Sequence, residues 1–126
     1  VVARLQNAGI AVSLFIAPDP EEVEASARCG ATQVELHTGF YADVPPSGRD
    51  VQFNRVVEAG RAATDLGLIL AAGHGLDYEN VRPLCRIHGI EEFNIGHAIV
   101  ARALFVGMEQ AVRQMIETIA AGVGPA

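Results

Sequence analysis

The chain has 126 residues, of which 50% are hydrophobic and 19% charged, and a formal net charge of −6. So large an apolar share supports a buried core and excludes an intrinsically disordered chain. The acidic balance excludes a general nucleic-acid role, which needs surplus Lys and Arg, but it leaves room for a small phosphorylated ligand held by backbone N–H groups and helix ends.

The chain opens on Val1 without a Met, and Val1 to Leu5 reads as the end of a helix already under way, so further sequence is expected upstream. A punctuation then recurs four times: a helix-like stretch, a glycine and an apolar run, at Gly9, Gly30, Gly67 and Gly89. Glycine after the last helical turn is the usual left-handed cap, and a short apolar run behind it reads as a buried strand. The first strand is expected at about Val12 to Ile16. Asp19 then offers an N-cap, Pro20 suits the first turn, and Glu21 and Glu22 suit the positive helix end, giving a helix to about Arg28. The second strand is expected at about Gln33 to Leu36, followed by a loop from Thr38 to Gly48 in which Pro45 and Pro46 break regular structure. A helix over about Val51 to Thr64 leads to a third strand, Leu68 to Ala72. A short helix, Glu79 to Ile87, precedes a fourth strand, Glu92 to Ile95. The last helix is expected from Ala98 to Ala120 with a break near Val106-Gly107, and Leu104, Met108, Val112, Met115 and Ile119 form its inward stripe. Strands alternating with helices imply an α/β fold with parallel strands and right-handed crossovers, in a single domain fragment over residues 1–126.

No apolar run approaches the roughly 18 residues of a membrane span, so a membrane partner is not expected. Cys29 and Cys85 form no CxxC and read as reduced structural thiols of a cytoplasmic protein.

In parallel α/β folds the chemistry gathers at the C-terminal strand ends. His37, His74 and His97 each follow a predicted strand, whereas His88 stands at a helix end. Alternation along the second strand puts Glu35 and His37 on one face and Leu36 on the other. Three imidazoles and a carboxylate on one rim are the groups that move protons near neutral pH. The same four groups lack the HxxxH or HxH spacing of a metal site, so no metal is expected. Gly73-His74-Gly75 and Gly96-His97 let the backbone approach a ligand, and Gly96-His97 opens a helix, as the phosphate sites of the last two strands of a barrel do. Asp77, Glu79 and Asn80 read as the turn and cap of the short helix.

Val34-Glu35-Leu36-His37-Thr38-Gly39, Ala72-Gly73-His74-Gly75-Leu76 and Asn94-Ile95-Gly96-His97-Ala98-Ile99-Val100-Ala101-Arg102-Ala103, in this order, resemble the C-terminal half of the pyridoxine 5'-phosphate synthase family. The likeness runs from about Val2 to Met115. It implies the last four βα units of a parallel (β/α)8 TIM-type barrel and a homo-oligomer, an octamer in the family. It also implies condensation of 1-deoxy-D-xylulose 5-phosphate with 3-amino-2-oxopropyl phosphate, without cofactor. By the same resemblance Glu35 stabilises a charged transition state, His74 donates a proton, and Gly75, Gly96 and His97 bind substrate, the last two near a phosphate. His37 and Thr38 complete the rim.

Two departures stand out: Ala17 where the family often has Asp, and Ala71 where it often has Asn. The family's N-terminal half supplies a general-base Glu, another catalytic His and phosphate-holding arginines, which this chain does not contain. The alternatives are a non-catalytic phosphate-binding half-barrel and another sugar-phosphate barrel enzyme.

Overall fold

The computed structural model describes residues 1–123. Eleven elements alternate as α1 (Val2–Asn7), β1 (Ser13–Ile16), α2 (Pro20–Arg28), β2 (Gln33–His37), α3 (Gly39–Asp43), α4 (Pro46–Asp65), β3 (Ile69–Gly73), α5 (Val81–Leu84), β4 (Ile90–Asn94), α6 (His97–Val106) and α7 (Met108–Val123). The four strands form one parallel sheet in the order β1-β2-β3-β4. Each strand is therefore added beside the one before, with no reversal of direction across the sheet. That order fits an arc of a parallel barrel, whereas an open doubly wound sheet switches direction part-way.

The turn chemistry follows the residues. Gly9, Gly30, Gly67 and Gly89 all adopt positive φ, as helix-ending glycines do. Asp19 Oδ1 accepts from the Glu21 N–H at 2.9 Å, capping α2 with Pro20 in its first turn.

The core lies on one face of the sheet. Val34, Leu36 and Leu70 are fully buried there against Val23 of α2, Val56, Ala59 and Ala63 of α4, and Leu84 of α5. The opposite face carries Ser13, Phe15, Gln33, Glu35, His37, Glu92 and Asn94, all partly or fully exposed, which in a closed barrel is the interior.

The segment after β2 departs from the expected irregular loop. It contains a helical turn, α3, and the next helix begins at Pro46, five residues before the expected Val51. The two prolines punctuate helices without abolishing them. Val44, held at ψ 148° one residue before Pro45, ends α3. Pro46 then takes the first position of α4, where a missing N–H is harmless.

The helix expected over Glu79 to Ile87 is regular only at Val81–Leu84, because turns built by Asp77 and Asn80 occupy its start. The stripe expected along the last helix also fails in part. Met115 is buried and Ile119 packs on the core, but Leu104 is 83% exposed and Met108 and Val112 are exposed too. Gly107, at φ 84°, separates α6 from α7, so residues on either side of it share no continuous face.

Candidate active site

The site is built from rows of residues across the sheet. In parallel register, Glu35 pairs with Ala71 and Ala71 with Glu92; two residues on, His37 pairs with Gly73 and Gly73 with Asn94. The register shifts between Leu70 and Ala71, an irregularity that leaves Glu91 out of the pairing. Such bulges re-aim side chains beside functional sites. Here Glu92 and Asn94 come to share the face of Glu35, and the Asn94 Nδ2 donates to Glu35 Oε2 at 3.1 Å.

His74 follows β3 directly. Its φ is 82°, and it is the one non-glycine residue at positive φ among the described residues. That conformation costs an L-residue about 1–2 kcal/mol and persists where the surroundings enforce it. The enforcement comes from the residues at and just after the end of β2. The fully buried Thr38 hydroxyl is shared between the carbonyls of Gly73 and His74, at 2.7 Å each, and the Thr38 N–H donates to the Gly73 carbonyl at 2.8 Å. The His74 ring stacks on His37 with centroids 4.6 Å apart. Gly39 gives both rings room, because a Cβ there would collide with His37 Cε1 and lie 3.1 Å from His74 Cδ2.

The next turn is locked in the same way. Asp77 Oδ1 accepts from the N–H groups of Glu79 and Asn80 at 2.8 Å each, and Asn80 Nδ2 donates to the Gly75 carbonyl at 3.0 Å. The buried Tyr41 of α3 donates to the Asn80 carbonyl at 2.7 Å. The unexpected helical turn α3 thus braces the loop that carries His74 and Gly75.

A cleft of about 520 Å³ opens above these rows. Phe15, Glu35, His74, Gly75, Asn94, Gly96, His97 and Ala98 are among the residues that line it. Gly96 caps α6 without a side-chain hydrogen bond, so the positive end of that helix opens on the cleft. Of the residues singled out from sequence, Glu35, His74, Gly75, Gly96 and His97 share this cleft. His37 stands behind His74 as its stacking partner, and Thr38 lies buried beneath it. His88 lines a separate depression with Phe53 and Arg86. Among the described residues no three His, Cys, Asp or Glu side chains are grouped to hold a metal ion.

Residues 1–121 match the family model described as pyridoxal phosphate biosynthesis protein PdxJ. The chain belongs to the PdxJ family. Similar curated proteins carry the name pyridoxine 5'-phosphate synthase. One from Synechococcus sp. strain RCC307 is 48% identical over 95% of this chain and 48% of its own length. One from Geobacter metallireducens is 47% identical over 94% of this chain and 50% of its own. A third, from another Synechococcus strain, is 52% identical over 91% of this chain and 48% of its own. The chain therefore spans about half the length of the curated relatives it matches.

The electrostatics of the site centre on Glu35. Burial raises the proton affinity of its carboxyl above the ordinary range, and the Glu92 carboxylate adds to the rise. The Asn94 hydrogen bond, His37 and His74 act in the opposite sense. Ala71 is fully buried and stands between Glu35 and Glu92 in register, so that row offers no polar side chain between the two acids.

Asn94, Glu92 and Phe15 join the site without being among the residues expected there from the sequence. The two on β4 carry a signal that was available, since a polar residue at every second position of a strand marks one face. The extra residue at the bulge, Glu91, puts two acidic neighbours in a row and breaks the alternation along β4. Phe15 gave no signal: an aromatic in an apolar run reads as core, yet it is 54% exposed and faces the His37 ring at 5.1 Å.

Proposed function

We propose that this chain forms the C-terminal half of the (β/α)8 barrel of a pyridoxine 5'-phosphate synthase. The enzyme condenses 1-deoxy-D-xylulose 5-phosphate with 3-amino-2-oxopropyl phosphate to pyridoxine 5'-phosphate, releasing inorganic phosphate and water. One observation carries the reading: a carboxylate, an imidazole and an uncapped helix N-terminus line the same cleft.

Each has a task in that chemistry. Condensation of an amine with a carbonyl passes through cationic species, and the Glu35 carboxylate stabilises the positive charge that develops. Loss of water and phosphate requires protons on departing oxygens, and the His74 imidazole delivers one. The backbone N–H groups at Gly75, Gly96 and His97 receive a substrate phosphate, favoured by the positive end of α6. His37 and Thr38 hold His74 in place. The remaining general base and phosphate-holding arginines come from the half of the barrel that this chain does not include.

The same reading assigns a cytoplasmic enzyme that works as a homo-oligomer, with no nucleic-acid or membrane partner. Leu104 and Phe105 of α6, 83% and 84% exposed, support a further protein surface against that helix. Among the described residues no helix is long and apolar enough to cross a membrane.

The test has two arms. Titration of the 15N-labelled chain with inorganic phosphate should shift the Gly75, Gly96 and His97 amide signals together; unmoved signals overturn the phosphate assignment. His74→Ala in the complete enzyme should abolish pyridoxine 5'-phosphate formation from the two substrates, and undiminished turnover removes the proton-donor role.

A further inference from the structure

One side chain at the strand ends has no part in the chemistry so far. Asn94 Nδ2 donates to Glu35 Oε2 at 3.1 Å and to Glu92 Oε1 at 2.9 Å. An amide NH2 has two hydrogens, so each carboxylate can receive one. The contact to Glu35 reaches across β3, and it needs Gly73. A Cβ at Gly73 would collide with Glu35 Oε1 and lie 2.9 Å from the Asn94 carbonyl oxygen and 3.0 Å from Asn94 Cβ. In the row below, Ala71 provides no polar group between the two acids. The Glu92 carboxylate, one strand beyond Ala71, raises the proton affinity of Glu35 as a like charge does, and among the described residues the Asn94 amide is the group bonded to both.

We propose that Asn94 is a positioning residue: its amide clamps Glu35 and Glu92 together and ties down Glu35 Oε2, leaving Oε1 above Gly73 as the oxygen that meets the substrate. The inference rests on the role given to Glu35 under Proposed function and adds the device that aims it. Its requirements are geometric: a glycine window in β3, a bulge that turns β4 inward, and one donor shared by two acceptors. The groups facing Glu35 are Glu92 and Asn94 from β4, Phe15 from β1, His37 from its own strand and His74 from the loop after β3.

The test follows the Glu35 carboxyl by 13C NMR during a pH titration of the chain and, in parallel, kcat and KM in the complete enzyme. Asn94→Ala should move the Glu35 titration upward, because a donor to the carboxylate is lost while Glu92 stays. Glu92→Gln should move it downward, because a neighbouring negative charge is lost. In the enzyme, Asn94→Ala should lower kcat roughly 10- to 100-fold with little change in KM, as misaimed catalytic groups do. Combining it with Glu92→Gln should recover part of that loss.

A general structural role would not move the titration in opposite directions. If Asn94→Ala does not fold, Asn94→Asp replaces it. A third carboxylate should raise the Glu35 titration further than the loss of the amide alone. An unmoved Glu35 titration in the Asn94 variants, with Glu35→Gln inactive, overturns the clamp. A fully active Glu35→Gln enzyme overturns the catalytic role of Glu35 instead, and the titration result then stands independently.

Discussion

The imidazole rings of His37 and His74 stack with centroids 4.6 Å apart and planes 23° apart, although the residues lie on different strand ends. Gly39 is what lets them do so. In Gly39→Ala the new methyl would collide with the His37 ring, which must swing off His74. Alanine favours a helix start over glycine by up to about 1 kcal/mol, so the net loss of stability should stay within about 2 kcal/mol. The local change should be large: the ring-proton NMR signals of both histidines should shift as the stack opens. Unchanged ring signals would show that the stack does not depend on Gly39.

Thr38 offers a sharper test of what holds His74 at positive φ. Its hydroxyl is buried and shared by two successive carbonyls. Thr38→Val keeps the shape but deprives both carbonyls of that donor, while the Thr38 N–H still serves Gly73. It should cost about 1–3 kcal/mol, read as a lower urea midpoint at unchanged slope. Thr38→Ser keeps the hydroxyl and should cost less. If serine were the worse of the two, packing of the methyl group would matter more than the hydrogen bonds.

These two devices also show what was legible in the sequence. His37, His74 and His97 could be placed at strand ends because glycine caps and apolar runs mark strands locally, and alternation put Glu35 opposite Leu36. The cleft followed from that. The hydroxyl bridge from Thr38 to His74 spans 36 residues, and no local pattern announces a contact of that kind. The bulge that turns Asn94 inward was hidden for the same reason: it arises from pairing between β3 and β4, not from either strand alone. Helix α3 has no clear sequence signal because two nearby prolines mimic a disrupted loop, whereas Pro46 starts α4. Leu104 and Met108 fit an inward stripe only if one helix runs through Gly107, where the structure separates α6 from α7.

Glu35 should make folding stability depend on pH in an uncommon sense for a carboxylate. Its proton affinity is raised in the folded chain, chiefly by burial and then by Glu92. A raised value favours the protonated form in the folded state. The contribution is therefore fully present below the ordinary glutamate range, near pH 4, and is lost as pH rises through the raised folded value. Glu35→Gln should accordingly be more stable than the native chain at neutral pH, with the gap closing towards pH 4. The gain should be modest because the group is part-exposed and screened by solvent. Chemical denaturation at a series of pH values decides it; a variant less stable at neutral pH would mean that the Asn94 bond outweighs burial.

Gly75 and Gly96 line the same cleft, yet a methyl group should act on them differently. Gly75 stands at φ 74°, and a Cβ there would lie 2.7 Å from Ala42 Cβ. Gly75→Ala therefore meets both a backbone penalty of about 1–2 kcal/mol and a clash with α3. The loss should be at least about 2 kcal/mol. Gly96 has φ −114°, and a Cβ there would meet nothing within 4 Å. Gly96→Ala should cost less than about 1 kcal/mol, the loss expected for a poorer cap. Its methyl group would nevertheless stand at the mouth of α6, where the proposed phosphate needs close approach to the amides. Gly96→Ala should thus lower its urea midpoint less than Gly75→Ala does, while its amides respond less to added phosphate. Full phosphate response in the Gly96 variant would move the anion site away from the start of α6.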